Sequence, residues 1–238
     1  MAGQIFKNLY LCKSSIIFIT VLAIICSGVC IATTALGSAT PNFDMSECTF
    51  LFAICYYFVY FTSGISLTTL FTCDERGTWV SFSYSTPGSA KCQVLSKYYT
   101  MLLINVWITF ICFISDSIVG VICPEGSVLT VIFDIFVITL IYNAITMPFY
   151  IRCGGDKGIA TAGIALGGVV FAVIVYILFG DISFFYVDDP VAAILEFLSS
   201  QWMLFITSVL PYIAVALYYL SYRISLKLYR KGAEDYGQ

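Results

Sequence analysis

Residues 48–73 read CTFLFAICYYFVYFTSGISLTTLFTC, and residues 74–97 continue DERGTWVSFSYSTPGSAKCQVLSK. The first stretch has 26 residues and no charge. A helix needs roughly 20 apolar residues to cross about 30 Å of hydrocarbon, so this stretch reads as a membrane span. The second opens on Asp74, Glu75 and Arg76 and carries Lys91 and Lys97 before the next apolar run. It reads as the aqueous connection that follows the span.

Working outward, the same alternation extends over the chain. Lys7 and Lys13 precede the first apolar run, Arg152 and Lys157 separate the fourth from the fifth, and Arg223, Lys227, Arg230 and Lys231 follow the sixth. With Arg76, Lys91 and Lys97 these are all eleven bases of the chain. The intervening connections carry Asp44 and Glu47, then Glu125, then Asp181, Asp188, Asp189 and Glu196, and no base. Lys and Arg near span ends are retained on the cytoplasmic side. The pattern therefore predicts an all-α polytopic membrane protein of six spans, about 15–36, 49–72, 98–121, 127–148, 159–180 and 201–222. Residues 1–238 form a single membrane domain in this reading, with both termini cytoplasmic.

Composition agrees. Apolar residues make up 60% of the chain and charged residues 11%, against about a quarter charged in soluble domains. The runs use most of the chain, leaving no room for a soluble catalytic domain. The basic start and apolar stretch imitate a signal peptide, but the run exceeds the 7–15 residues typical of a signal core, so it is read as span one. The ten cysteines form no paired CxxC motif of zinc-ligand spacing. Only Cys48 and Cys123 are expected on the outer side, where a disulfide between them is left open. The chain has no histidine, which excludes His-ligated metal sites and His-activated nucleophiles. Gly154-Gly155-Asp156-Lys157-Gly158 lacks the spacing of a P-loop. The chain is therefore expected not to be an enzyme, and any nucleotide would be bound by another chain. Nothing in it points to nucleic acid.

Several local features qualify this outline. Phe6, Leu9 and Cys12 recur at helical spacing within residues 3–13, which predicts a short interfacial helix in contact with lipid. Pro87-Gly88 breaks the first inner loop, and Ser89 is placed to cap a new helix running through Lys97 into span three. Asp189-Pro190 has the form of a helix start, and Val191, Ile194, Leu195 and Leu198 then repeat at helical spacing. That segment, just before span six, is too short to span and suits a re-entrant or surface helix. The tail after Tyr222 is expected to end in disorder.

Asp116 and Asp134 are the ionisable groups well inside the runs, each near the outer end. One reading makes them a polar outer vestibule that meets cargo or a cation. The bland reading, favoured by their shallow depth, is snorkelling or helix-to-helix hydrogen bonding. Asn105 and Asn143 lie deeper and are expected to bond across helices. Gly163 and Gly167 form a small-xxx-small face suited to close helix packing. Tyr10, Tyr56, Tyr57, Tyr98, Tyr99, Tyr150, Trp202 and Tyr222 are expected to form an interfacial belt.

The connection at 74–97 is more than a solvated loop. Its Asp74-Glu75-Arg76-Gly77, Trp79, Pro87, Lys91 and Ser96-Lys97-Tyr98 resemble the corresponding loop of the small six-span permeases of the type 2 ABC transporter family. So do Pro148-Phe149, Arg152, Gly154-Gly155 and Asp156-Lys157-Gly158 of the second inner loop. The layout of N-terminal helix, six spans and helical outer hairpin is also similar, so the likeness covers nearly the whole chain. It implies a permease subunit, an exporter by resemblance, that dimerises with itself or a similar chain. Such a dimer would sit on ABC ATP-binding subunits that hold ATP and Mg²⁺, and this chain would bind no cofactor. A cytoplasmic coupling helix around 74–84 would use Asp74, Glu75, Arg76, Gly77, Trp79 and Phe82. A second contact would use Arg152, Gly155, Asp156 and Lys157. The main alternative is a secondary carrier, which calls for mid-membrane charges, broken helices and inverted repeats; no clear repeat is visible.

Overall fold

The computed structural model describes residues 2–37, 45–76, 89–124, 127–155, 157–160, 163–164 and 201–235. All secondary structure among them is helical, as expected where hydrocarbon leaves backbone polar groups no partner but one another. The helices are α1 (Ala2–Leu11), α2 (Lys13–Gly37), α3 (Met45–Arg76), α4 (Ser89–Ile122), α5 (Leu129–Cys153) and α6 (Gln201–Asp235). Among the described residues, α2 to α6 each contain a stretch long and apolar enough to cross a membrane. Most of the expected fifth span, 165–180, and the expected outer helix lie outside the described residues, as do residues 77–88, which hold most of the expected coupling helix.

Helix α4 is the centre of the bundle and packs on α1, α2, α3, α5 and α6. Its 34 residues extend about 50 Å at 1.5 Å per residue, well beyond the hydrocarbon. Met101, Ile104, Ile108, Cys112 and Val119 line its buried face, while Trp107, Phe110, Phe113 and Ile114 face outward. An exposed apolar face is what a lipid solvent selects. Paired polar groups join the helices along their length. Ser15 meets Thr69 at 3.0 Å, Tyr60 donates to Thr109 at 2.6 Å, and Tyr56 donates to Ser115 at 3.1 Å.

Contacts between elements gather the bases of the described helices at one end, which we term basal. Here the end of α3, the starts of α2 and α4, and the ends of α5 and α6 come together. At the opposite, distal end Asp116 is 3% exposed. Its Oδ2 accepts from Ser127 Oγ and its Oδ1 from the Val128 backbone N–H, both at 2.8 Å. Val128 is the residue that opens α5, so Asp116 caps a neighbouring helix at the positive end of its dipole. Asp116 thus joins α4 to the head of α5 by hydrogen bonds. Asp134 is half-buried in the second turn of α5.

Asp116→Ala strands a buried N–H and is expected to cost about 1–3 kcal/mol. Ser127→Ala removes only a hydroxyl and is expected to cost about 1 kcal/mol or less. Thermal unfolding in detergent compares the two.

Other expectations are corrected by the packing. Tyr56, Tyr98 and Tyr150 are buried inside the bundle rather than set in a belt, because each hydroxyl has a partner on another helix. Tyr10, Tyr57 and Tyr99 are exposed. Helix α6 does not fray after Tyr222 but runs to Asp235, since Ser225 and Tyr229 continue its docking on α4. Helix α5 passes through Pro148 to Cys153. On α1 the residue turned inward is Asn8, 3% exposed, while Phe6 is 74% exposed. Cys12 lies at the bend between α1 and α2, its thiol donating to Ser66 O at 3.6 Å. Cys123 is a free, half-buried thiol.

Candidate functional site

The basal end of the bundle is built around three consecutive residues of α4, Ser96, Lys97 and Tyr98. Consecutive helical residues point about 100° apart, so the three address different neighbours. Ser96 Oγ accepts from Asn8 Nδ2 of α1 at 3.2 Å and donates to Gln93 O at 2.8 Å. Lys97 Nζ lies 4.0 Å from the centroid of the Phe71 ring on α3. Tyr98 reaches α6, its hydroxyl 2.6 Å from Ser221 Oγ and 2.8 Å from Ser225 Oγ. Tyr218 of α6 donates to the Tyr98 carbonyl at 2.8 Å, with its ring edge-on to that of Tyr98.

Helix α5 joins through Tyr150. Its ring stacks on Phe71 at a centroid distance of 5.3 Å. Its hydroxyl is 3.3 Å from Thr68. Lys97, Phe71 and Tyr150 thus form a cation–ring–ring stack across α4, α3 and α5, with Phe71 and Tyr150 both buried. A cation on an aromatic face contributes roughly 0.5–2 kcal/mol, more as it is desolvated. Ser221 also donates to Ala144 O at 2.5 Å, tying α6 to α5. One further pair, Tyr229 and Gln93, bonds α6 to the first turns of α4.

The second expected contact region begins where α5 ends. Gly154 takes φ 81°, a left-handed conformation suited to glycine, and its N–H bonds to Tyr150 O at 2.9 Å. The turn lays Gly155 directly on α3. A Cβ there would stand 2.5 Å from Thr72 Cγ2, 2.8 Å from Thr72 N and 3.0 Å from Thr72 Cα. Gly158 then bonds back to Gly154 O at 2.9 Å.

The sequence-derived site residues fall as follows. Asp74, Glu75 and Arg76 form the final backbone turn of α3, one turn beyond Phe71 and Thr72. Gly77, Trp79 and Phe82 of the expected coupling helix, and Asp156 of the second loop, lie outside the described residues. Arg152 is exposed in the last turn of α5, and Lys157 is exposed. Gly155 is buried against α3. Gly163 is exposed, and a Cβ there meets open space.

The sequence reading missed Asn8, Phe71, Thr72, Tyr150, Ser221, Ser225 and Tyr229 as parts of this site. One signal was available: Ser221, Ser225 and Tyr229 recur every fourth residue, which places them on one face of the helix. The Asn105 and Asn143 side chains, expected to bond across helices, have no hydrogen-bond partner on any of their amide atoms.

Comparison with known proteins matches residues 4–230 to the family described as ABC-2 family transporter protein. None of the curated proteins and none of the solved structures compared with the chain matches it.

Proposed function

The chain belongs to the ABC-2 family of transporter proteins, and from that premise we propose that it is the permease subunit of an ATP-driven exporter. It is a multi-pass membrane protein. In this reading the basal end faces the cytoplasm of a cell whose plasma membrane holds the chain. An ABC ATP-binding subunit, carrying ATP and Mg²⁺, seats against Asp74–Phe82, with Arg152 and Lys157 beside it. The permease pairs with a second copy or a similar chain, and performs no covalent chemistry itself.

The observation that carries the proposal is the three-way anchoring at Ser96-Lys97-Tyr98. The docking segment leaves α3 and rejoins α4. Helix α3 is packed on α1 and α5, and α4 on α1, α5 and α6, within a few turns of it. A push delivered there moves five helices together, which is the mechanical requirement for coupling a distant ATPase to the membrane.

Tagged full-length protein is expected to co-purify from membranes with a P-loop chain and to stimulate its ATP hydrolysis. Reporter tags placed in 77–88 and at the carboxyl end are expected to read as cytoplasmic. Tags that read as external, or purification with no ATPase, overturn the assignment.

A further inference from the structure

Two carboxamides stand unpaired in the seam between α4 and α5. Asn105 and Asn143 are each 0% exposed, and the nitrogen and oxygen of both lack a partner. Leaving such a group dry costs roughly 2–7 kcal/mol in an apolar surrounding. Two of them side by side in one helix pair call for a guest.

Their relative position follows from the distal hydrogen bond. Asp116 Oδ1 accepts from Val128 N at 2.8 Å, which fixes the register of α4 against α5. From that level Asn105 lies eleven residues towards the basal end on α4, and Asn143 fifteen residues on α5. At 1.5 Å per residue the depths are about 16 Å and about 22 Å, an offset of about 6 Å. Both belong to the facing buried stripes. Asn105 shares its stripe with Met101, Ile108, Cys112 and Asp116, and Asn143 shares its own with Ile132, Thr139 and Met147. Leu102 of α4 packs against the cluster of Val137 and Leu140 of α5 and Ala214 of α6.

No hydrogen bond joins the two carboxamides to each other. A water between them, donating and accepting at about 2.8–3.0 Å, satisfies atoms of both. The neighbouring Met101 and Met147 offer thioethers, weak acceptors that donate nothing. We infer that Asn105 and Asn143 form an internal hydration site in which ordered water bridges the α4–α5 seam. The chemistry suits water specifically: each amide offers both a donor and an acceptor, and no charge stands beside them on these stripes at that depth. The inference does not depend on the transport reading.

Hydroxyl-radical footprinting by water radiolysis tests it on the full chain in lipid nanodiscs, because bound water generates radicals beside buried side chains. Met101 and Met147 are each 0% exposed, so their oxidation reports internal water rather than bulk solvent. Cys112, equally buried higher on the same stripe of α4, is the dry control. Dose-dependent oxidation of Met101 and Met147 is expected, several-fold above that of Cys112. In Asn105→Leu with Asn143→Leu it is expected to fall to the control level. Met101 and Met147 as inert as Cys112 in the unaltered chain overturn the inference, whether or not the double variant folds. Equal oxidation of all three overturns it as well, since that pattern reports general opening of the bundle.

Discussion

Exchanging the charges at the end of α3, Glu75→Arg together with Arg76→Glu, is expected to abolish transport while leaving the chain inserted and folded. The exchange conserves net charge and keeps one base in the segment, so the topological signal is untouched. Helix α3 runs unbroken through Arg76, and the turn before these charges is held by the Phe71–Tyr150 stack, the Lys97 cation and Gly155. The backbone that carries the pair therefore stands on a packed support. Like charges brought together in an interface cost several kcal/mol, and each 1.4 kcal/mol is about a tenfold change. Transport is expected to fall by about tenfold or more, with loss of ATPase co-purification and unchanged membrane yield. Normal transport by the exchanged protein would refute the docking role of this turn.

Gly155→Ala is expected to produce a large loss of stability for the addition of a single methyl. The new Cβ meets the backbone N and Cα of Thr72 at 2.8 and 3.0 Å, and helical backbone does not yield as a flexible side chain does. Overpacking of this kind costs about 1–3 kcal/mol. Thr72→Ser removes the methyl that stands 2.5 Å away but neither backbone contact, so it should restore only part of the loss. Gly163→Ala, where the methyl meets open space, is the matched control and should leave the unfolding temperature unchanged. Equal behaviour of the two alanine variants would mean that the second basal loop does not bear on α3. If the expected contrast holds, transport should drop with stability in Gly155→Ala alone, because displacing α3 at Thr72 also displaces Asp74–Arg76.

The order of spans was legible because lipid acts on every residue of a span at once. A charge-free run must become a helix, and bases sort to one end before any tertiary contact exists. The helix restart at Ser89 was legible for the same local reason: a serine just after Pro87-Gly88 is placed to begin a helix. Helix ends set by pairing were not legible. The four-residue spacing of Ser221, Ser225 and Tyr229 puts them on one face but fixes no helix end until Tyr98 and Gln93 are seen opposite them. Asp116 was a vestibule candidate only while its neighbours were unknown; its bonds to Ser127 and Val128 make it a fastening. The Ser96-Lys97-Tyr98 triplet stood out as a family motif, but its division of labour among α1, α3 and α6 depends on three helices meeting around a fourth. Phe71 and Tyr150 gave no signal at all, since aromatic residues near span ends are common and these two differ only in what they touch.

The fastening at Asp116 also bears on how the chain is made. Both groups that satisfy this carboxylate stand at the head of the helix synthesised next. While the third apolar run is alone in the translocon it carries an acid with no answering donors, at an insertion penalty of about 2.5–3.5 kcal/mol at the helix centre and less towards the surface. Once Ser127 and Val128 emerge, that penalty is relieved. Helices α4 and α5 are thus suited to leave the translocon as a ready-made hairpin.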